Sequence, residues 1–177
     1  MLKLMTSLPS SQQRAFTFIE LMITIAVMVI SLMIGITNYL RFLDKQRLYQ
    51  SGAIIEAMIK DARVKAQNGF LGNEEIGFCT KLGAVEVFSS LTTEERVNVT
   101  AQLLCADNSV LVYDNYLIDN DQTTIDSQFK VSFLPLRGAI ITLAGNSIAS
   151  GSATLSRDSA EVLFNLDQGG AIDVKYQ

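Results

Sequence analysis

The apolar residues of this chain follow two regimes. Residues 16–40 hold 18 hydrophobic residues out of 25, and residues 21–40 carry no charge. A run of about 20 apolar residues is what a bilayer core requires. From residue 16 to residue 68 there is no proline, and the only glycines are Gly35 and Gly52. Ile55, Ile59, Ala62 and Ala66 recur on one helical stripe, with Ile54 and Met58 beside it. Glu56, Lys60, Asp61 and Arg63 lie away from that stripe. Glu56 and Lys60, and likewise Ile55 and Ile59, are i,i+4 neighbours. The pattern predicts one helix of about 53 residues, ~80 Å long at ~1.5 Å per residue. Asn68-Gly69 supplies its stop. The first half suits lipid, whereas the second needs a protein surface over the Ile55/Ile59 stripe.

After Gly69 the period changes to short β-prone runs divided by turn formers. The predicted strands are 84–89, 97–105, 110–118, 129–134, 139–144, 161–166 and 171–176. Their separators include Asp107-Asn108, Asp119 to Asp121, Gly145-Asn146 and Gln168-Gly169-Gly170. The last two runs read as a hairpin across residues 167–170. Phe129-Lys-Val-Ser-Phe alternates between an apolar and a polar face. The fold class is therefore α+β: a long N-terminal membrane-plus-stem helix packed on an antiparallel β-sheet domain. The segments are a leader over 1–15, an apolar helical half over 16–40, an amphipathic stem over 41–68 and a sheet domain over 69–177.

Composition narrows the chemistry. The 177 residues contain no His, so Ser/Cys–His–acid triads, zinc–His sites and histidine pH switches are excluded. No nucleophile–base pair or ligand cluster stands out, and neither an enzyme nor a cofactor is expected. Outside the apolar run the chain is roughly 45% hydrophobic, an ordinary globular value. Residues 41–68 carry six basic and three acidic groups; residues 69–177 carry six basic and fourteen acidic, a net of −8. So acidic a domain is badly suited to phosphate backbones, and no nucleic-acid partner is expected. A local basic patch of Lys130 and Arg137 is the one feature that runs against this.

Residues 1–15 contain Lys3 and Arg14 but no long apolar core of their own. The apolar run that follows is too long for a signal peptide and has no small-residue cut site behind it, so it reads as a retained anchor. Arg41, Lys45 and Arg47 outnumber Lys3 and Arg14, so the flanking charges do not fix its orientation.

The segment Arg14-Ala15-Phe16-Thr17-Phe18-Ile19-Glu20-Leu21-Met22 sits at the mouth of the run. A basic residue, a small residue, then a phenylalanine followed four positions later by a lone glutamate resembles the processing site of the type IV pilin and pseudopilin superfamily. The resemblance implies cleavage between Ala15 and Phe16 by a prepilin peptidase, methylation of the new Phe16 amino group and assembly into a helical filament. Other pilin or pseudopilin subunits and an inner-membrane assembly platform are the implied partners. The family nearly always has glycine before the cut. Alanine is the least bulky replacement, and cleavage is expected to survive it. Many members also carry a proline in the second half of the apolar run, where this chain has Gly35 and Asn38. The stem and residues 129–139 and 167–175 look like the H-type secretion pseudopilins and their pilus relatives.

Glu20 has a physical logic of its own. A carboxylate at a bilayer centre costs about 2.5–3.5 kcal/mol on insertion scales, and less near the interface. It reads either as a headgroup-level carboxylate without a special partner or, as the family implies, as the partner of the Phe16 ammonium on an adjacent subunit. Cys79 and Cys105 are either a disulfide, worth about 3 kcal/mol of loop entropy, or two buried thiols. The acidic residues Asp114, Asp119, Asp121 and Asp126 fail the EF-hand spacing because Thr124 stands where glycine is needed, so no metal site is expected. Asn98-Val-Thr100 matches a glycosylation sequon but falls inside a predicted strand. A structural filament subunit is the leading expectation. A DNA-binding minor pilin and an uncut, membrane-anchored domain are the alternatives.

Overall fold

The computed structural model describes residues 16–75, 77–94, 96–118, 123–135, 138–157 and 160–177. The chain divides into two compact units, one ending at Arg41 and one spanning Phe42–Gln177. One helix, α1, runs over Phe18–Gln67. Among the described residues twelve strands follow: β1 (Gly72–Asn73), β2 (Gly77–Phe78), β3 (Leu82–Leu91), β4 (Val97–Cys105), β5 (Val110–Leu117), β6 (Thr124–Ile125), β7 (Phe129–Phe133), β8 (Ala139–Leu143), β9 (Asn146–Ile148), β10 (Ser150–Arg157), β11 (Ala160–Asp167) and β12 (Ile172–Tyr176).

In the first unit the α1 side chains are exposed throughout, from Phe18 to Leu40. Three of their hydroxyls are satisfied locally. The hydroxyls of Thr24, Ser31 and Thr37 donate to the carbonyls of Leu21, Val27 and Met33 one turn earlier, at 2.8–3.0 Å. Such back-bonding removes the cost of carrying a hydroxyl into an apolar medium. By length and composition this helix is able to cross a membrane.

In the second unit the stem of α1 buries Leu48, Ser51, Gly52, Ile55, Met58, Ile59, Ala62 and Ala66. These are the predicted stripe and its N-terminal continuation. The polar face carries the i,i+4 ion pairs Glu56–Lys60 and Asp61–Lys65. The helix ends in a Schellman motif: the Phe70 N–H donates to the Lys65 carbonyl at 3.0 Å and the Gly69 N–H to Ala66 at 3.4 Å. Gly69 sits at φ +65°, the left-handed turn that glycine adopts without strain.

The β residues form not one sheet but two, plus a ribbon. A six-stranded sheet has the order β5-β4-β3-β7-β8-β9, a four-stranded sheet the order β12-β11-β10-β6, and β1 pairs with β2. Every pairing is antiparallel. The sequence reading lacks the short strands β1, β2, β6 and β9 and one long strand, β10, which stands between β11 and β6. Its sequence, Ser-Gly-Ser-Ala-Thr-Leu-Ser-Arg, has only two aliphatic side chains. Both of them, Ala153 and Leu155, are completely buried. The expected hairpin across 167–170 is present as β11–β12, with Leu166 opposite Ile172.

One continuous core joins the stem to both sheets. Val85, Val87, Val99, Ala101 and Leu103 come from the six-stranded sheet, and Ala153, Leu155, Val162 and Phe164 from the other. The Phe129 and Phe164 rings meet between them at 6.4 Å. The closest approach of helix and strand is at Gly52, where an added Cβ would lie 2.8 Å from Val162 Cγ1 and 3.4 Å from Tyr176. Tyr49 then stacks edge-on against Tyr176 at 5.2 Å and donates its hydroxyl proton to the Gln177 carbonyl at 3.1 Å. Arg63 donates to the Gly170 carbonyl, and Ser51 shares a hydrogen bond with Tyr116 at 3.2 Å.

Glycine at position 52 is therefore a packing requirement. Gly52→Leu is expected to lower stability by about 1–3 kcal/mol through overpacking, despite leucine's better helix propensity. A reduced urea midpoint, partly restored by Val162→Ala, is the expected result.

Candidate functional site

The helix entrance is built by Thr17. This residue precedes the first helical position, its carbonyl accepts the Leu21 N–H at 3.2 Å, and its Oγ1 accepts the Glu20 N–H at 3.4 Å. Thr17-Phe18-Ile19-Glu20 has the T-x-x-E spacing of a capping box, and the N-cap half of it is formed. The spacing was readable in the sequence and was passed over in favour of Glu20 alone. It gives Glu20 a second physical role, since a carboxylate in the first turn sits against the positive end of the helix dipole.

Phe16 and Phe18 flank this cap, 74% and 77% exposed. Glu20 is exposed as well, and no ion pair joins it to another described residue. Ala15, the other half of the expected cut site, lies outside the described residues.

Residues 10–36 match the prokaryotic N-terminal methylation motif. The motif covers the Ala15–Phe16 junction, the Thr17 cap and Glu20, and it supports the resemblance of these residues to the type IV pilin and pseudopilin superfamily. It supports the reading of a type IV pilin-like substrate of the prepilin peptidase, and together with the apolar helix it suggests membrane anchoring. No curated protein and no solved structure matches the chain.

The remaining candidates lie in the second unit. Cys79 and Cys105 are joined in a disulfide, with Cα atoms 5.3 Å apart and 26 positions between them in sequence. Both residues are buried. The bond ties the segment that leaves the helix to the end of β4. The Cys79 N–H donates to the Leu71 carbonyl at 2.7 Å, fixing the same segment from the other side.

Of the acidic residues, Asp119 and Asp121 lie outside the described residues. Asp126 accepts the Thr154 N–H at 2.7 Å and pins β6 beside β10; Asp114 accepts the Asn115 N–H at 2.9 Å. Among the described residues no three His, Cys, Asp or Glu side chains converge as metal ligands. Asn98 of the sequon lies in β4, as expected, with a buried side-chain oxygen.

Arg137, the second member of the basic patch, also lies outside the described residues. Lys130 is committed within the sheet: its ammonium pairs with Glu86 at 2.9 Å. Glu86 is 5% exposed and takes two more hydrogen bonds, from Gln102 and Ser132, each at 2.9 Å. This network crosses β4, β3 and β7 and spends the charge of Lys130 internally.

Burial alone would raise the Glu86 carboxyl, but the hydrogen bonds from Lys130, Gln102 and Ser132 and the Lys130 charge outweigh it and hold the group below its ordinary value. A depressed carboxyl stabilises the fold above its unfolded value and loses that contribution as pH falls through the folded one. The difference in urea midpoint between wild type and Glu86→Gln should therefore be constant above about pH 5.5 and shrink below about pH 4. A difference independent of pH down to acid unfolding would refute the assignment.

Proposed function

We propose that the chain is a structural subunit of a type IV pilus-like or type II secretion pseudopilus filament, without catalytic activity. The observation that carries this is the methylation motif over residues 10–36, set on a helix whose first 23 positions are exposed and mostly apolar, with the Thr24, Ser31 and Thr37 hydroxyls bonded to the helix's own carbonyls. In this reading the prepilin peptidase cuts between Ala15 and Phe16 and the Phe16 amino group is methylated. The chain resides in the inner membrane with its sheet domain outside the cytoplasm. It then passes into a helical filament through the assembly platform.

Transfer from lipid to a helical bundle costs little hydrophobic energy because both surroundings are apolar. The register of the bundle must then come from a polar contact. Glu20, which has no ion pair among the described residues, supplies a carboxylate for the Phe16 ammonium of a neighbour. Within the superfamily, the stem and the last strands favour a minor pseudopilin of the H type. The disulfide accords with a domain folded in an oxidising compartment.

Alanine at position 15 gives substance to the other reading, an anchored domain that is never processed. Intact-mass and peptide mass spectrometry of the membrane-extracted protein separates the two. A chain beginning at methylated Phe16 is expected. A chain retaining residues 1–15, in a host that processes its other prepilins, overturns the filament reading. Glu20→Ala is expected to leave membrane insertion intact while reducing filament incorporation at least tenfold, read by shearing and immunoblotting.

A further inference from the structure

A second feature lies apart from the helix entrance, inside the unit spanning Phe42–Gln177. The stem and the ends of β5 and β10 enclose a cavity of about 490 Å³, within the ordinary range of ligand pockets. Leu48 and Ile118 give it an apolar base, and its polar lining is a set of donors: Arg47, Gln50, Ser51, Tyr116, Thr123 and Arg157. No carboxylate is among its described lining residues. In a unit that carries seventeen acidic and eleven basic groups, two guanidiniums on one cavity run against the prevailing charge.

Arg157 is the informative residue. It is only 6% exposed, and its Nη2 donates to Asp44 Oδ1 at 2.6 Å. Its Nε is also buried, yet has no hydrogen-bond acceptor. A buried guanidinium edge without a partner is costly, and such groups in a folded protein call for an explanation. Thr123, 5% exposed, and Ser51, 6% exposed, bring hydroxyls to the same space. Asp44 fixes one side of the Arg157 fork and leaves Nε–H for something else. Arg47, on the exposed side of the stem, adds the second positive charge.

We propose that this cavity binds a phosphate group, held by Arg157 and Arg47 with hydroxyl donors from Thr123 and from the Ser51–Tyr116 pair, which has one proton left to give after its mutual hydrogen bond. Planar guanidinium forks suit oxyanions with several acceptor oxygens, and a phosphate offers more acceptors than a single side-chain carboxylate. Asp44 is a positioning residue, since it pairs with Arg157 and is not among the lining residues. The phosphate has two possible sources. Arg47 follows the charge-free run 21–40 by seven positions, which span at most about 25 Å even when extended, so a lipid headgroup is within reach as well as a free anion. The proposal does not depend on filament assembly and is tested on the unassembled chain.

The full chain in maltoside detergent, which contains no phosphate, is titrated with sodium phosphate against sodium chloride at equal ionic strength. A parallel titration uses dioctanoyl phosphatidic acid against dioctanoylglycerol. Thermal unfolding and the arginine Nε–H signals of ¹⁵N-labelled protein are followed. A saturable rise in Tm of about 3 °C or more is expected, with a shift of one buried Nε–H signal. A response to phosphate identifies a free-anion site, and a response to phosphatidic acid alone identifies a headgroup site. Because Arg157 variants also lose the Asp44 pair inside the fold, the decisive variants are Arg47→Gln and Thr123→Val, each expected to weaken binding at least tenfold. No response to either ligand overturns the proposal, as does an undiminished response in Arg47→Gln.

Discussion

A single amphipathic helix face has to be covered, and the domain is organised around covering it. Ile55, Ile59 and Ala62 are completely buried, and Leu48 and Ala66 nearly so, over five turns of one stripe. Such a stem has no independent stability in water, because helices are held chiefly by the packing of their apolar face. The cover comes from two sheets that do not share a strand. The four-stranded sheet brings Val162 against Gly52, and the six-stranded sheet brings Tyr116 to Ser51. The small residues Ser51, Gly52, Ala62 and Ala66 allow that approach, while Ile55, Met58 and Ile59 fill the space between. Each sheet leaves an inner face that needs the other, so the contact between Phe129 and Phe164 follows from the same demand.

The stem stripe and most strands were legible in the sequence because each followed one strong period. The 3.6 period of Ile55, Ile59, Ala62 and Ala66 located the buried face, and Phe129-Lys-Val-Ser-Phe located β7. The strand β10 was missed for the opposite reason: its buried face holds Ala153, Leu155 and Arg157, and serine, glycine and threonine fill the rest. Apolar density was low although burial was high, since two aliphatic side chains, Ala153 and Leu155, make up its apolar buried face. The division of β structure into two sheets is set by long-range pairing, which no local pattern reports.

At the helix entrance, the Arg14 to Met22 segment carried the recognisable motif. The Thr17 cap was equally legible but was overshadowed by the charge of Glu20. The pairing of Cys79 with Cys105 was open on sequence grounds, as spacing alone does not bring two Cα atoms to 5.3 Å. The Glu86 network and the Arg157–Asp44 pair were invisible, because their members are 16 to 113 positions apart. Both bury a charge, and both hold it with a partner from a distant element. That is the arrangement in which a buried charge is tolerated.

The hydrogen bond between Tyr49 and Gln177 spans 128 positions. Val162 and Tyr176, which close over Gly52, are likewise made more than a hundred residues after it. During synthesis, then, the stem emerges long before the strands that cover it. The disulfide-linked part of the six-stranded sheet can form early, yet one side of the stripe stays bare until β11 and β12 arrive. Loop-closure entropy makes such late contacts slow to form. A nascent chain of this design therefore carries a temporarily sticky helix for most of its production, and its safety at that stage depends on what other apolar surface lies nearby.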